Sequence, residues 1–358
     1  MSRTVLLNPG PVNVTDKVRQ ALMLPDLCHR EKEFSDLMAA IRTKLLKAFD
    51  IEEEYTSVLV SGSGTAALEM AVSSCLSPNR SMLVIENGVY GERIRKICDI
   101  YRFNYHSIKM DWGKPPNLED IERKLQQNPD IEVVALVHHE TTTGLLNPLK
   151  EVGELARCYK KIFLADCISS LAGDEIDFTS CSIDIAVGTA NKCIQAFSGV
   201  SFVLFRKKDL ERLNKIPERT LYFNLTGYHT AQDKGELLFT PAIPAHYALD
   251  VALDELIDET VAGRVQRYAA AAKFLRDGFK DIRLEFLISE GWRSNCLTGL
   301  LLPKGMSYEK LHGELKANGF IIYAGQGKLS NRIFRIANMG DITHKEFQRL
   351  LKVLGKIC

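Results

Sequence analysis

Short apolar, β-rich runs alternate with amphipathic helical runs from about residue 57 to residue 205. The predicted strands are Ser57–Val60, Met82–Glu86, Ile131–His138, Ile162–Asp166, Ile183–Gly188 and Val200–Phe205, and the predicted helices are Thr65–Cys75, Gly91–Tyr101, Leu118–Gln127 and Leu149–Tyr159. Such alternation is typical of β-α-β units, in which each helix returns the chain so that successive strands run parallel. It therefore predicts an α/β fold with a mostly parallel sheet.

The pattern changes after residue 245. The run from His246 to Phe279 has apolar residues at helical spacing and no proline, which predicts a pair of long helices that leaves the first domain. Beyond it, the predicted elements are strands Leu284–Leu287, Leu297–Leu302, Phe320–Tyr323 and Ile333–Ala337, a helix Tyr308–Ala317 and a final helix from Thr343. We therefore expect a large domain over residues 15–250 and a smaller α+β domain over 251–358, to which the N-terminal segment 1–14 also belongs.

The composition narrows the possible partners. Lys and Arg number 46 against 45 Asp and Glu, so the net charge of +1 gives no reason to expect a nucleic-acid or membrane partner. The sequence has no run of about eighteen apolar residues, the length that a membrane-spanning helix requires. The stretch MSRTVLLNPGPVNVTD lacks the apolar core of a signal peptide. The nine scattered cysteines contain no C-x-x-C pair, which indicates reduced thiols in a cytoplasmic protein. We expect no metal site.

Ligands of open parallel sheets bind beyond the carboxyl ends of the strands, so the residues that follow each predicted strand are the candidate site residues. In SGSGTAALE, Ser63, Gly64 and Thr65 lead into a helix, whose free N–H groups suit a phosphate. The alternative is an ordinary loop with Ser63 or Thr65 as helix N-cap. In NGVYGER, Tyr90 begins a helix, where its ring either stacks on a planar ligand or packs the helix start.

Two further strands end in polar residues. HHETTTG contains three successive threonines, whose hydroxyls suit a polar ligand or, alternatively, a turn closed by Gly144. Asp166 ends the next predicted strand, and a buried carboxylate requires a partner. That partner is a ligand or a local hydroxyl such as Ser169 or Ser170.

Lys192 lies on a link of small and polar residues between two apolar runs. A buried ammonium without a partner is costly and tends to lose its proton. A neutral lysine is a nucleophile that reacts with carbonyl groups. The alternative is a surface lysine on a tight connection.

Together, these stretches give a phosphate cup, an aromatic ring, hydroxyls, a carboxylate and a lysine, each at the end of a predicted strand. Pyridoxal 5'-phosphate requires all five, for its phosphate, ring face, ring oxygen, ring nitrogen and aldehyde respectively. The sequence therefore predicts a site for this cofactor. Asp166 would keep the ring nitrogen protonated, and Lys192 would bond to the aldehyde.

The same motifs resemble those of the class V branch of the fold-type I, pyridoxal phosphate-dependent transferases over nearly the whole chain. The matching stretches are LLNPGPVNVT, SGSGTAALE, NGVYGER, HHETTTGLLNPL, TANKCIQ, FTPAIPAHYALDVALDE and GKLSNRIFRIANMGDI. Within the class, they are most similar to the branch whose amino donor is 2-aminoethylphosphonate and whose acceptor is pyruvate. The resemblance implies a small-molecule amino donor, a 2-oxo acid acceptor and a homodimer with shared active sites.

The resemblance also implies a role for each matching position. The cofactor would contact Ser63, Gly64, Thr65, Tyr90, Thr141, Asp166 and Lys192, of which Asp166 and Lys192 are catalytic. Thr240, in FTPA, would reach the cofactor phosphate from the second subunit. Arg335 would bind the substrate's anionic group, because a guanidinium fork suits a carboxylate or a phosphonate, and Gly10 is assigned to the same substrate site. The alternatives are a salt bridge from Arg335 to Asp341, or anion binding by Arg30 instead.

Two other functions remain open from the sequence. One is a related transaminase of the alanine–glyoxylate or serine–pyruvate type, or a lyase acting on a hydroxylated aminophosphonate. The other is a binding or regulatory protein that kept the fold and lost catalysis, against which the presence of both Lys192 and Asp166 argues.

Overall fold

The computed structural model describes residues 3–358. Its strands are β1 Val5–Leu6, β2 Tyr55–Gly62, β3 Ser81–Glu86, β4 Asn104–Lys109, β5 Ile131–Val137, β6 His139–Glu140, β7 Leu145–Leu146, β8 Ile162–Asp166, β9 Ile185–Thr189, β10 Gly199–Arg206, β11 Leu297–Leu301, β12 Phe320–Ile321, β13 Tyr323–Ala324 and β14 Ile333–Ala337. Its helices are α1 Asp16–Ala21, α2 Lys32–Ala48, α3 Gly64–Cys75, α4 Val89–Tyr101, α5 Leu118–Gln127, α6 Leu149–Cys158, α7 Leu210–Asn214, α8 Leu225–Asp233, α9 Ile243–Glu259, α10 Val261–Asp281, α11 Tyr308–Ala317 and α12 His344–Ile357.

Seven strands form the central sheet in the order β2-β10-β9-β8-β5-β3-β4. Strand β10 runs antiparallel to both of its neighbours, β2 and β9, and the other pairs are parallel. The predicted α/β class and mostly parallel sheet are therefore confirmed. Because β3, β5, β8 and β9 run in the same direction, the loops that follow them emerge at one edge of the sheet.

Hydrophobic clusters cover both faces of this sheet. Leu59 belongs to the cluster that includes side chains of α2 and α9, whereas its neighbours Val58 and Val60 belong to the cluster that includes side chains of α3 and α4. Successive residues of a strand point to opposite faces, so a sheet covered on both sides needs continuous apolar strands. This requirement explains why the strands are visible in the sequence as unbroken apolar runs.

The C-terminal part of the chain forms a second core around the antiparallel sheet β11-β14-β13. Helices α10, α11 and α12 contribute side chains to this core, as do Val5 and Leu7 from the N-terminal segment. The segment is held by β1, which pairs in parallel with β12, and by a hydrogen bond of 2.7 Å from Ala337 N to Leu7 O. This attachment carries the residues after Leu7 towards the central sheet. The division into residues 15–250 and 251–358 plus 1–14 remains a prediction.

Several element predictions differ from the structure, and the predicted strand Phe320–Tyr323 is divided into β12 and β13, which lie in different sheets. The residues 284–287 form no strand; Phe286 makes a single β-bridge with Leu300. Conversely, the edge strand β4 was not predicted. Its residues are mostly polar and partly exposed, because only one side of an edge strand pairs with the sheet, and they therefore lack an apolar run.

No helix within residues 3–358 combines the length and the hydropathy that a membrane crossing requires. These residues also contain no group of three or more His, Cys, Asp or Glu side chains placed to hold a metal ion. All nine cysteines are free thiols.

Candidate active site

Lys192 lies on the short connection between β9 and β10. The connection is closed by backbone hydrogen bonds from Ala190 N to Val200 O and from Gln195 N to Lys192 O, with Gln195 in a left-handed conformation at φ 67°. The Lys192 side chain is partly exposed to the cleft. Burial lowers the pKa of its amine to about 8; the nearby Asp166 acts in the opposite direction, and the cations of Arg335 and Arg93 lower it further. A substantial neutral fraction near neutral pH makes this amine a nucleophile.

A buried arginine that the sequence analysis missed fixes this connection. Arg264 of α10, only 2% exposed, donates two hydrogen bonds of 3.1 Å to the carbonyl oxygens of Cys193 and Ile194. Its charge is balanced by Glu259 at 2.7 Å. Arg264 therefore holds the backbone that follows Lys192, and nothing in its helical sequence context distinguishes it from a surface arginine.

Gly10 packs directly against the Lys192 side chain. A Cβ atom at Gly10 would lie 2.8 Å from Cδ, 2.9 Å from Cε and 3.0 Å from Nζ of Lys192. A side chain at position 10 would therefore displace the end of the Lys192 side chain, and the φ of +98° also favours glycine. The N-terminal segment thus forms one wall of the lysine's surroundings, in keeping with the expected place of Gly10 in the site.

Asp166 ends β8 and is 3% exposed. Its Oδ1 accepts a hydrogen bond of 3.0 Å from Ile168 N, and within residues 3–358 it bonds to neither Ser169 nor Ser170. Burial raises the pKa of this carboxyl to about 6, against the stabilising effects of the Ile168 amide, Arg93 and Lys192. Bonding to a protonated ring nitrogen would offset that burial cost and favour the carboxylate.

The three threonines after β5 divide between turn and ligand. Thr142 Oγ1 donates to Glu140 Oε1, and Thr143 Oγ1 donates to Glu140 O, so both serve the turn that Gly144 closes at φ +90°. In contrast, Thr141 Oγ1 is buried and has no hydrogen-bond partner. A buried hydroxyl without a partner is uncommon in folded proteins, and a ligand oxygen would satisfy it.

The phosphate cup is the N-terminus of α3. Ser63 is the N-cap residue, yet its side chain makes no capping hydrogen bond, which leaves the hydroxyl available. Gly64 is the first helical residue, where a Cβ atom would lie 2.9 Å from Ile168 Cδ1. Thr65 Oγ1 accepts a hydrogen bond of 2.9 Å from Arg93 Nη1. The cup thus combines helix N–H groups, hydroxyls and one cation, a set that suits a phosphate dianion.

Arg93 joins this cup to Tyr90 and was missed by the sequence analysis. Its guanidinium lies 4.6 Å from the centroid of the partly exposed Tyr90 ring, on the same helix, α4. The spacing of three residues in NGVYGER places both side chains on one face of that helix. This spacing is the signal by which Arg93 could have been found.

Arg335 is 2% exposed in the middle of β14. Nε donates to Ala324 O at 2.9 Å and Nη1 donates to Thr141 O at 2.8 Å. Within residues 3–358 it forms no ion pair, and Asp341, the alternative partner, pairs with Arg3 instead. The bond to Thr141 brings this small-domain arginine to the threonine turn of the central sheet.

Thr240 and Arg30 lie elsewhere. Both are exposed, and neither hydrogen-bonds to the residues described above. The loop that carries Thr240 is nevertheless anchored near the cup, since Ala242 N donates to Ser61 Oγ at 3.0 Å. One chain thus brings together all the predicted site residues except Thr240.

The hydroxyl of Thr141, the helix N-terminus at Gly64 and the lysine–aspartate pair fit pyridoxal 5'-phosphate, and the mostly parallel α/β sheet is that of a fold-type I enzyme that uses this cofactor. The sequence agrees, because residues 18–326 match the family described as aminotransferase class-V. The chain belongs to the class V aminotransferases, which use this cofactor to move an amino group from a donor to a 2-oxo acid.

Relatives cover nearly the full chain. The 2-aminoethylphosphonate–pyruvate transaminase of Lysinibacillus sphaericus is 35% identical over 359 residues, covering 99% of this chain and 97% of that protein. An uncharacterized aminotransferase of Methanocaldococcus jannaschii is 34% identical over 347 residues, covering 96% and 90% respectively. The crystal structure of alanine–glyoxylate aminotransferase from Nostoc sp. matches with a TM-score of 0.93 and 26% identity, covering 100% of this chain and 96% of that one.

The lowered pKa of Lys192 predicts how the apoprotein takes up its cofactor. Only the neutral amine attacks an aldehyde, so the uptake rate should rise about tenfold per pH unit well below pH 8 and level off above it. Stopped-flow absorbance would measure the rate, with N-acetyl-lysine amide as the control for ionisations of the cofactor itself. In the Asp166→Asn variant, the midpoint of the pH dependence of the uptake rate should move to lower pH, because the Asp166 carboxylate raises the pKa of Lys192. An uptake rate that, after division by the rate of the N-acetyl-lysine amide control, does not change with pH would contradict the prediction.

Proposed function

We propose that this aminotransferase moves the amino group of 2-aminoethylphosphonate to pyruvate, giving phosphonoacetaldehyde and L-alanine. The observation that carries the proposal is Arg335, a buried guanidinium beside the threonine turn that forms no ion pair within residues 3–358. A buried cation of this kind requires an anion. The 35% identity to a transaminase named for these substrates supports the choice of phosphonate.

In the proposed site, Arg335 orients both substrates. Because the carbonyl oxygens of Ala324 and Thr141 fix Nε and Nη1, the remaining N–H groups are held in one direction. They bind the phosphonate in the first half-reaction and the carboxylate of pyruvate in the second. One fork serves both, since each ligand is a small anion with its reacting carbon close to the charge.

The cofactor is held by the cup and by the strand ends. We assign the phosphate to the α3 N-terminus with Ser63, Gly64 and Thr65, the ring face to Tyr90, the ring oxygen to Thr141 Oγ1 and the ring nitrogen to Asp166. When bound, the cofactor supplies an electron sink that stabilises negative charge on the substrate carbon. Asp166 keeps that sink effective, because its charge holds a proton on the ring nitrogen.

Lys192 moves the proton. Once the substrate amine has displaced it, Nζ is a free amine with a pKa lowered towards neutrality by burial. With the cofactor bound, it would serve as general base for the proton on the donor carbon that carries the amino group, and the resulting ammonium would serve as general acid. Gly10, which packs against Cδ, Cε and Nζ, limits the positions that the amine can take during this transfer.

A screen of donors against acceptors tests the substrate assignment. 2-Aminoethylphosphonate, alanine, serine and glutamate would each be paired with pyruvate, glyoxylate and phosphonoacetaldehyde, and single-turnover absorbance changes would be recorded. We expect the highest kcat/KM for 2-aminoethylphosphonate with pyruvate. Preference for alanine with glyoxylate would instead favour the activity named for the Nostoc structure.

The role of Arg335 is tested by Arg335→Lys, which keeps the charge and loses the planar fork. Loss of a charge-assisted hydrogen bond is worth about 1.5–3 kcal/mol, so we expect kcat/KM to fall roughly tenfold to hundredfold with both substrates, mainly through KM. The cofactor spectrum should not change. Arg349→Lys is the matched control and should behave as the parent, because Arg349 donates to Asn318 O at the exposed surface. Parent-like kinetics for Arg335→Lys would show that the anion binds elsewhere.

We also propose a homodimer in which Thr240 reaches the phosphate cup of the partner. Exposed apolar side chains flank Thr240: Leu238 is 45% exposed, and Leu221 is 82% exposed next to Tyr222, whose ring stacks on Phe239. Leu24, 47% exposed, lines a groove together with Pro241 and Ala242. Within the described residues, Thr240 makes no hydrogen bond to the predicted site residues of its own chain. Exposed apolar surface beside such a loop suits contact with a second copy of the chain.

Sedimentation equilibrium tests this assembly. The parent should sediment at about twice the chain mass of 40.2 kDa, and Leu221→Glu should shift it towards the monomer with loss of cofactor. Trp292→Glu, at a 37% exposed residue of the C-terminal part, is the control and should remain dimeric. A parent that is active as a monomer would remove Thr240 from the site.

The cytoplasmic location also remains a proposal, supported by the nine free cysteines.

A further inference from the structure

Glu140 is a buried carboxylate that the assigned chemistry does not use. It lies in β6 at the end of β5, with 0% of its surface exposed. Its neighbours in the sequence are the threonines of the turn, but its side chain points away from Thr141 to the start of α4. Burying a carboxylate is costly unless its oxygens are hydrogen-bonded, so the partners of Glu140 must explain why it is buried.

Each carboxylate oxygen accepts hydrogen bonds from a different segment. Oε2 accepts from Tyr90 N at 3.1 Å and from Gly91 N at 3.2 Å, at the N-terminus of α4. Oε1 accepts from Thr142 N at 3.2 Å and from Thr142 Oγ1 at 2.6 Å, within the threonine turn. One side chain thus joins the backbone of the stacking residue to the turn that presents Thr141.

The loop before α4 is shaped around this carboxylate. A Cβ atom at Gly88 would lie only 2.2 Å from Glu140 Cδ. Gly88 has an extended backbone with φ 179°, so glycine is needed here for space and not for an unusual conformation. Glu140 therefore lies between the NG turn and the threonine turn, which are also joined directly by a hydrogen bond of 3.1 Å from Val89 N to Thr142 Oγ1.

The charged form of Glu140 fits its surroundings. All four of its hydrogen-bond partners are donors, and the N-terminus of a helix favours negative charge. Burial raises the pKa of Glu140 to about 7, whereas the donors from Thr142, Gly91 and Tyr90 lower it. Burial lowers the pKa of the Arg335 guanidinium, and the Tyr90 and Glu140 side chains act in the opposite direction.

We propose that Glu140 is a positioning residue of the cofactor site, whose two oxygens hold Tyr90 and the Thr141–Thr142 backbone at a fixed separation. Its effect passes through those two segments, and it touches neither cofactor nor substrate. The proposal rests on the ring-stacking role of Tyr90 and the ring-oxygen role of Thr141 given under the proposed function. It adds the residue that couples the two.

Glu140→Gln is the sharpest variant, because it keeps the size of the side chain. An amide has one acceptor oxygen, so its NH₂ group must face either the Tyr90 and Gly91 amides or the Thr142 donors, and one of the two connections is lost. We expect the dissociation constant of pyridoxal 5'-phosphate from the apoprotein to rise about tenfold to hundredfold. The circular dichroism induced in the bound cofactor, which reports ring orientation, should weaken or change sign.

Glu132→Gln is the matched control. Glu132 lies near the start of β5, the strand that precedes Glu140, and its two oxygens likewise accept from a backbone amide and a hydroxyl, both of Ser77, with Arg212 Nη1 at 3.6 Å from Oε1. This variant should lower thermal stability while leaving cofactor affinity and induced dichroism as in the parent. Equal losses in Glu132→Gln and Glu140→Gln would mean a general stability effect and would overturn the proposal.

Two further variants keep the test decisive. Thr142→Val removes one donor to Glu140 Oε1 and also the acceptor of a hydrogen bond of 3.1 Å from Val89 N, while it retains the carboxylate and its Tyr90 and Gly91 donors. It should therefore weaken cofactor binding, and it serves if Glu140→Gln does not fold. Tyr90→Leu separates the two proposals. If Tyr90→Leu weakens binding and both Glu140→Gln and Thr142→Val bind as the parent, Glu140 has no positioning role. If Tyr90→Leu also binds as the parent, the assigned role of Tyr90 fails as well.

Discussion

The site depends on the burial of one cation at the carboxyl edge of a parallel sheet. Lys192 follows β9, and Asp166 ends the neighbouring strand β8, so the strand pairing itself brings the amine and the carboxylate together. Burial acts on the two groups in opposite directions: it lowers the pKa of Lys192 to about 8 and raises that of Asp166 to about 6. Each group thus titrates near neutral pH, which suits proton transfer by the amine and a carboxylate that gains from a cationic ligand nitrogen.

Two arginines, Arg93 and Arg335, lie near this pair, and bound anions would balance their charges. Arg93 reaches the phosphate cup through Thr65, and Arg335 reaches the threonine turn through Thr141 O. Both cations lower the pKa of Lys192 further. Binding of a phosphate at one and a phosphonate or carboxylate at the other would reduce that effect, which couples occupancy of the anion sites to the basicity of the lysine.

Several site residues could be predicted because their local context is unusual. A glycine–serine loop before a helix, three threonines after an apolar strand, and a lysine between two buried runs each break the pattern around them. Glu140 and Arg264 lack such a context, since nothing in the residues beside them sets them apart from other charged residues. Their importance arises from contacts with residues distant in the chain, such as Arg264 with Cys193 O, 71 positions away. No local pattern records a contact of that range.

The sequence by itself determined the α/β class, most of the central strands and the strand-end residues that we expect to hold a cofactor, because apolar periodicity and turn composition are local properties. Only the tertiary structure decided which of these residues meet. It showed that, in the part of the chain that the structure describes, Thr141 alone among the three threonines has a hydroxyl without a hydrogen-bond partner, and Arg335 forms no ion pair. It also showed that Gly10 packs against Lys192 across 182 positions of chain. Burial and hydrogen-bond satisfaction are properties of the folded chain as a whole, since they depend on which distant segments exclude water from a side chain.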